Sequence, residues 1–194
     1  MTRCERFDVR ALAPQRWKNG AGLTREIAFG GADPANFDWR VSVAEVERDA
    51  PFSAFPGIDR AIVLLRGAGM RLRSDDGRID HALTEPLVPF RFPGDVPLSA
   101  TLAGGASSDF NVMTRRGVFR SALSCHRAAA DLDAGALGLL LCCTGAWAIG
   151  RDAPIRLEPL QGLLWRTAPG PIAVAPLDPR GALLLVRLCH DRPT

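Results

Sequence analysis

The sequence is poor in histidine, and the few it has are badly spaced for a metal site. Its 194 residues include three histidines, and none lies within four positions of another: His81, His126 and His190. Sites for first-row transition metals draw on imidazole and carboxylate ligands held close together. The sequence therefore predicts no metal site and no bound cofactor. A histidine-based catalytic triad is also unsupported, because no nucleophile motif accompanies these residues.

Paired cysteines and long apolar runs are also missing. The five cysteines contain no Cys-x-x-Cys spacing, and several lie in apolar runs, so we expect free, mostly buried thiols. No stretch approaches the length of a membrane span, and residues 1–8 lack the apolar core of a secretion signal. We therefore expect a cytoplasmic protein that does not engage a membrane.

Lysine is nearly absent, since the chain has twenty-three arginines and one lysine, Lys18. The formal net charge is only +3 and the arginines are scattered among acidic residues, so no nucleic-acid partner is predicted. Lysine differs from arginine in being a compact charge whose pKa moves readily on burial. Its single occurrence makes Lys18 the first candidate site residue.

Lys18 lies in a segment of unusual composition, residues 16–27. An aromatic residue, a cation and an amide are followed by glycines at positions 20 and 22, which predicts a turn that presents its side chains. The residues after the turn alternate as in a strand, which places Thr24 and Glu26 on one face. A polar face thus continues the polar turn.

Short segments with strand-like alternation fill the rest of the chain, separated by glycine and proline turns. They predict an all-β protein, a sandwich or barrel of short strands. The best helical candidates are residues 128–132 and 32–37. Both are too short to carry the architecture.

The second half of the chain repeats the outline of the first. A buried strand, a hairpin and a returning strand are predicted at 61–73 and again at 137–150, and Glu-Pro-Leu follows each, at 85–87 and 158–160. This pattern indicates a duplicated all-β unit. We predict an N-terminal half, residues 1–120, and a C-terminal half, residues 121–194, packed as one compact unit.

Two further strands place polar side chains in phase. Asp109, Asn111 and Arg115 share one face of residues 109–115, as in an edge strand with its polar face in water or in the wall of a pocket. Glu45 falls in phase with apolar side chains of its own strand. It therefore lies either at the strand end, reaching solvent, or inside a polar cavity.

Several of these stretches carry a family resemblance. In order along the chain, the following segments resemble the HutD/Ves family: Arg16 to Glu26, Phe37 to Ala44, Phe52 to Arg60, Phe92 to Asp95 and Asp109 to Arg115. The resemblance implies a cupin-type double-stranded fold in two like halves (a bicupin) and a bacterial cytoplasmic setting. For the HutD branch it also implies an association with histidine utilisation. The motifs leave the HutD and Ves branches open.

The polar residues of these segments predict a ligand pocket without a metal. The candidate ligand-binding residues are Trp17, Lys18, Asn19, Glu26, Arg40, Glu45, Asp109, Asn111 and Arg115. Cations and amides suit a small ligand that carries a carboxylate and hydrogen-bonding nitrogen or oxygen atoms. The alternative is that Lys18 with Glu26, and Asp109 with Arg115, form ion pairs that stabilise strand ends.

The resemblance and these residues together favour a regulatory protein that binds a small acidic metabolite of histidine utilisation, urocanate or a formylated intermediate. The alternative is a metal-independent isomerase or hydrolase in which Lys18 and Glu26 act as acid and base. The scarcity of histidine favours binding over catalysis. A third interpretation is a protein-interaction module that uses the loop containing Phe52 and Phe55. A homodimer is left open.

Overall fold

The computed structural model describes residues 4–167 and 169–191, and within them the regular structure is almost entirely β. The first ten strands are β1 (Cys4–Asp8), β2 (Pro14–Arg16), β3 (Gly22–Asp33), β4 (Asn36–Val46), β5 (Ala50–Phe52), β6 (Ile58–Arg66), β7 (Met70–Arg73), β8 (Asp80–Leu83), β9 (Pro89–Pro93) and β10 (Leu98–Leu102). The remaining strands are β11 (Ser107–Arg115), β12 (Phe119–His126), β13 (Ala130–Asp133), β14 (Leu137–Thr144), β15 (Trp147–Ile149), β16 (Ile155–Leu157), β17 (Gln161–Trp165), β18 (Pro171–Pro176) and β19 (Ala182–His190).

The predicted all-β class is confirmed, and the two short helical candidates were wrong. The described residues contain no α-helix, only a 3-10 turn at Val9–Ala11, and so no helix long and apolar enough to cross a bilayer. Residues 130–133 pair with β18, and residues 32–37 form the turn between β3 and β4 with the adjoining strand ends. Such short segments cannot offset the cost of helix nucleation, whereas strand pairing satisfies their backbone groups.

The described residues fall into two compact units. We call residues 12–120 with Asp191 the N-terminal unit, and residues 4–11 with 121–190 the C-terminal unit. The sequence pattern groups residues 4–11 with the first half instead. They belong to the C-terminal unit because all five residues of β1 pair antiparallel with β17.

The N-terminal unit is a sandwich of two antiparallel sheets. The larger sheet has the order β2-β3-β4-β11-β6-β9, and the smaller has the order β5-β10-β7-β8. Apolar side chains from both sheets form one buried cluster, in which Ile62 and Leu64 of β6 lie with Met70 and Leu72 of β7 and Leu98 of β10. Burial of this cluster fixes the inner face of the larger sheet.

The C-terminal unit has the same kind of construction. Its sheets have the orders β1-β17-β14-β19-β12 and β13-β18-β15-β16. Its core contains two fully buried tryptophans, Trp147 and Trp165, packed with leucines of β14 and β19. Among the described residues, this unit holds none of the candidate site residues predicted from the sequence.

The order of pairing in one unit recurs in the other. β6 pairs with β9 and β11 in the N-terminal unit, and β14 pairs with β17 and β19 in the C-terminal unit. The two Glu-Pro-Leu segments also share a backbone feature, because Leu87 has φ 66° and Leu160 has φ 69°. The Leu87 amide donates to the Leu64 carbonyl, and the Leu160 amide donates to the Cys142 carbonyl, at 3.0 and 2.8 Å. A left-handed leucine is uncommon, so this turn is a backbone feature that the two units share.

Candidate functional site

The inner face of the larger sheet in the N-terminal unit carries three adjacent rows of side chains. Met113 of β11 pairs with Arg40 on one side and Arg60 on the other. Asn111 pairs in the same way with Ser42 and Ile62, and Asp109 with Ala44 and Leu64. Because side chains two residues apart share a face, the rows place two arginines, an amide and a carboxylate on one surface.

These rows form one wall of a cavity of 590 Å³. The lining residues come from the turn before β3, from β3 and β4, from the β5 segment, and from β6 and β11: Gln15, Arg16, Trp17, Lys18, Asn19, Thr24, Arg40, Ser42, Ala44, Pro51, Phe52, Ser53, Phe55, Arg60, Asp109, Asn111 and Met113. The volume is in the range of small-molecule sites in proteins. A mixed apolar and polar lining of this kind suits a ligand with a small carbon skeleton and charged or hydrogen-bonding ends.

Arg60 is a buried cation with little compensation. The residue is 6% exposed, and among the described residues no carboxylate oxygen lies within 4.0 Å of its guanidinium nitrogens. The rings of Phe52, Phe55 and Phe92 surround it, at 5.5, 5.5 and 5.0 Å from ring centroid to guanidinium carbon. The one hydrogen bond that its side chain makes to a described residue, to the Ser53 carbonyl, is long at 3.4 Å, and its Nε has no partner among these residues.

Burial lowers the pKa of Arg60 to about 10, an effect that the charge of Asp109 opposes and that of Arg40 increases. The group nevertheless stays charged at neutral pH. Aromatic faces attract a guanidinium, but they do not replace the hydrogen bonds it loses on leaving water. The Arg60 guanidinium is therefore suited to bind an anion.

Asp109 and Asn111 contribute the opposite polarity. Asp109 is completely buried, and neither of its carboxyl oxygens accepts a hydrogen bond of normal geometry from a described residue, although the Asn111 amide lies close enough to favour the charged form. The side-chain oxygen of Asn111 is likewise without a partner. Burial raises the pKa of Asp109 to about 7, against the opposing influence of the Arg60 charge and of the nearby Asn111 amide. Three acceptor atoms thus lie at the cavity wall without donors.

Arg40 lines the cavity and forms an ion pair with Glu26, one of the predicted site residues. Its Nε lies 2.7 Å from Oε2 of Glu26, and both side chains are largely buried. Glu26 itself does not line the cavity, because its carboxylate is held by Arg40 beside the β-bulge between Glu26 and Ala28. The carboxylate neutralises one of the two arginines of the first row, so Arg60 is the cation of that row that remains unneutralised.

The turn before β3 borders the cavity. The Trp17 indole donates to the Thr24 hydroxyl at 2.8 Å and meets the Phe52 ring edge to face. Lys18 is exposed at this border, and the Asn19 side-chain oxygen accepts the amide of Ala21 at 3.0 Å. Trp17 thus forms part of the wall, and Asn19 also stabilises the turn that carries Lys18.

The structure gathers six of the nine predicted site residues around the cavity: Trp17, Lys18, Asn19, Arg40, Asp109 and Asn111. Glu45 lies apart from it. Its carboxylate is on the opposite face of β4, 40% exposed, and pairs with Arg25 at 2.6 Å. Of the two positions considered for Glu45, the structure thus shows the solvent-reaching one.

Arg115 also lies apart from the cavity. Its Nε donates to Asp38 at 3.1 Å, and its Nη2 donates to the Phe37 carbonyl at 2.7 Å. The alternative ion pairs also differ from those predicted, because Glu26 pairs with Arg40 and Arg115 pairs with Asp38. Alternation along β11 correctly indicates the face of the strand from which the Arg115 side chain projects. The side chain is long, however, and binds a partner on β4 instead of lining the cavity.

Sequence reasoning missed Arg60 and the role of the aromatic loop. The apolar run after Arg60 predicts a buried strand, which β6 is. The arginine near the start of that strand was not included among the candidate site residues. Its phase with Ile62 and Leu64 is the signal that could have found it, because those residues point into the core. Phe52 and Phe55 contact Arg60, so both rings of the proposed interaction loop have partners within the N-terminal unit.

No group of three or more His, Cys, Asp or Glu side chains in residues 4–167 and 169–191 is arranged to hold a metal ion. The cysteines are free thiols, but the expectation that most are buried was wrong. Cys142 is fully buried, Cys4, Cys125 and Cys143 are partly buried, and Cys189 is exposed near the end of β19. Burial raises the pKa of the Cys142 thiol to about 12, which makes it a poor nucleophile.

The two-sheet architecture is a cupin-like fold. A cupin 2 conserved barrel domain protein from Leptotrichia buccalis has a similar structure, with a TM-score of 0.58 at 10% identity over 95% of this chain and 96% of that one. At this identity the likeness establishes the fold alone.

Closer similarity identifies the family. The HutD family model matches residues 10–184, and the chain belongs to the HutD family, which is linked to histidine utilisation. HutD from Pseudomonas fluorescens SBW25, in a structure obtained in a formate condition, has a TM-score of 0.85 at 26% identity, covering 98% of this chain and 100% of that one. A conserved protein of unknown function from Pseudomonas aeruginosa PAO1 has a TM-score of 0.86 at 31% identity, covering 96% and 99%.

Proposed function

We propose that this chain is a regulatory protein of histidine utilisation that binds a small acidic metabolite, urocanate or a formylated intermediate, in the cavity of the N-terminal unit. The observation that carries the proposal is Arg60, a buried guanidinium with no ion-pair partner among the described residues, placed in a cavity of 590 Å³. A ligand carboxylate would supply the hydrogen bonds and the charge that the protein does not.

The charge balance of the cavity supports an anionic ligand. Arg16, Lys18, Arg40 and Arg60 line it. Glu47 offsets Arg16 and the largely buried Glu26 offsets Arg40, whereas Lys18 and Arg60 have no such carboxylate among the described residues. Asp109 is the one carboxyl group among the lining residues, and its raised pKa reduces its negative charge near neutral pH.

The alternative of acid-base catalysis by Lys18 and Glu26 has no comparable geometric support. Lys18 is exposed at the cavity border, and the Glu26 carboxylate is engaged by Arg40 at 2.7 Å, away from the lining. A general acid and base must both reach the reacting atoms. We therefore propose binding as the function.

Calorimetric titration of urocanate and of N-formylglutamate into the wild-type chain and an Arg60→Met variant tests this proposal. Methionine keeps an apolar contact with the three phenylalanines but removes the charge, so we expect the affinity to fall by roughly tenfold or more. Arg66→Met is the matched control, because Arg66 is an exposed residue of the same strand, outside the lining. The proposal would be refuted if neither acid bound the wild-type chain, or if the wild-type chain and the Arg60→Met variant bound them with equal affinity.

A further inference from the structure

The cavity has unused hydrogen-bond acceptors as well as an unused cation. Asp109 Oδ1 and Oδ2 and Asn111 Oδ1 are buried and unpartnered among the described residues, and both side chains line the cavity. A buried acceptor that has lost water without gaining a donor costs about 1 to 3 kcal/mol. The cost is recovered when a bound molecule supplies the donors.

We propose that Asp109 and Asn111 are specificity-determining residues that select, among small carboxylic acids, those that also carry an N–H donor. This inference rests on the proposed function, since it assumes that the ligand carboxylate binds at Arg60. It identifies the residues that contact the end of the same ligand opposite the carboxylate. The class so defined is that of nitrogen-bearing acids, such as imidazole acids and amido acids, as opposed to simple carboxylates.

The strand register separates the two ends. Met113, which pairs with Arg60, lies four residues from Asp109 on β11, so the two rows are about 13 Å apart along the strand. Asn111 lies midway between them. The charges of Arg60 and Asp109 nevertheless influence each other's pKa, so the two side chains interact across this span. A compact planar acid with a carboxylate at one end and an N–H at the other fits this polarity.

The charged groups facing Asp109 allow this role. Arg60 on β6 and Arg40 on β4 lie on the same inner face, Lys18 lies at the cavity border, and Glu26 is held by Arg40. Arg16 also lines the cavity and pairs with Glu47, and none of these four described cations lies within ion-pair distance of Asp109. If a cation of the protein already paired with Asp109, a ligand donor would have nothing to gain there. Apart from the nearby Asn111 amide, no described group engages the carboxyl group, which leaves its oxygens able to accept from a ligand.

The test compares two planar acids of nearly equal shape, urocanate and 3-(2-furyl)acrylate. The furan ring has one oxygen and a C–H where the imidazole ring has its two nitrogens, so the second acid keeps the carboxylate and loses the N–H donor. We expect wild-type protein to bind urocanate about tenfold or more tightly than the furan acid in calorimetric titration. In Asp109→Asn, a near-isosteric change, we expect this ratio to fall severalfold while the affinity for the furan acid changes little.

The ratio separates specificity from damage to the fold, because a distorted cavity would weaken both acids together. Arg115→Met serves as the control, since Arg115 lies outside the lining, and it should keep the wild-type ratio. Asn111→Leu provides a second, independent variant that should also lower the ratio. Equal affinity of the wild-type protein for the two acids would overturn this inference but leave the proposed function standing. Absence of binding by either acid would overturn both.

Discussion

Two buried groups of opposite sign, Arg60 and Asp109, occupy one cavity without forming an ion pair. A buried pair in direct contact would satisfy itself, and removing one partner would then leave the other charge stranded. Here each group is already short of partners within the described residues. The arrangement forgoes stability in the empty cavity and makes both groups available to a ligand.

The raised pKa of Asp109 predicts how stability depends on pH. The folded chain holds this proton up to about pH 7, whereas the ordinary aspartate value is 3.8, so the folded state binds more protons between these values. The contribution of Asp109 to stability is therefore fully present below pH 4 and is lost as the pH rises through 7, by at most about 1.4 kcal/mol per pH unit.

An amide at position 109 has no proton to lose in this range, so the Asp109→Asn variant should lack this loss of stability. Urea unfolding at pH 5, 6 and 7 measures the difference, and we expect the wild-type chain to lose about 2 kcal/mol relative to the variant over this range. Parallel curves for the two proteins would show that Asp109 titrates normally in the folded state.

Arg115 provides the contrasting case of an arginine with a structural role. It joins the end of β11 to Asp38 and to the Phe37 carbonyl of β4. We expect Arg115→Met to lower the unfolding free energy by about 1 kcal/mol, because the Phe37 carbonyl loses a charged donor. Urocanate affinity should stay within twofold of wild type. A tenfold loss of affinity with unchanged stability would place Arg115 in the ligand site after all.

At the scale of elements, the geometry of the turn before β3 determines which of its positions require glycine. The positive φ lies at Gly20, and the close approach lies at Gly22, where a methyl group would overlap the Glu45 carbonyl oxygen. Ala21 between them is buried and meets neither constraint. The turn can therefore carry alanine at its middle position and keep its shape.

Gly22→Ala should accordingly destabilise the N-terminal unit. The added methyl group must push apart β3 and β4 at their first paired residues, and we expect a cost of about 2 kcal/mol in unfolding free energy. Gly104→Ala is the matched control, because its methyl group would meet only the Ala68 side chain, at 3.3 Å. Urea denaturation of the two variants compares them directly, and equal midpoints would mean that β3 and β4 separate at no cost.

Alternation and turn residues predicted the elements well because they are local properties. The strand phase of Asp109 and Asn111, for example, follows from the apolar Phe110 and from the period of two. What alternation could not predict is the partner of a long side chain, as Glu26 and Arg115 show. Their partners, Arg40 and Asp38, lie on β4, and tertiary register decides which cation meets which acid. Arg60 was missed although its phase with Ile62 and Leu64 places it on the inward face, because an arginine is rarely buried and its aromatic neighbours come from other segments of the chain.

At the scale of the whole molecule, the thiols give a test of burial along the chain. Cys189 is exposed, whereas burial raises the pKa of both Cys142 and Cys143. Reaction of the native chain with an aromatic disulfide reagent at pH 8 should therefore modify Cys189 first, since the thiolate is the reactive form.

Cys142 and Cys143 should react only after unfolding in guanidinium. Absorbance of the released thiolate counts the modified groups, and Cys189→Ser should abolish the fastest phase. Rapid modification of Cys142 in the native chain would contradict the packing of the C-terminal unit.

The pairing of β1 with β17 has a consequence for how the chain is made. Arg6 and Gln161, which contact each other across this pair, are separated by 155 positions. At translation rates of about 5 to 20 residues per second, the first strand waits roughly 10 to 30 s for its partner to be synthesised. The strands of the N-terminal unit end at Arg115, so all the strands that form the cavity have been synthesised while β1 still lacks its partner strand β17. Slower elongation across the second half of the message would prolong that exposure, and it would lower the yield of folded protein without altering the ligand affinity of the molecules that fold.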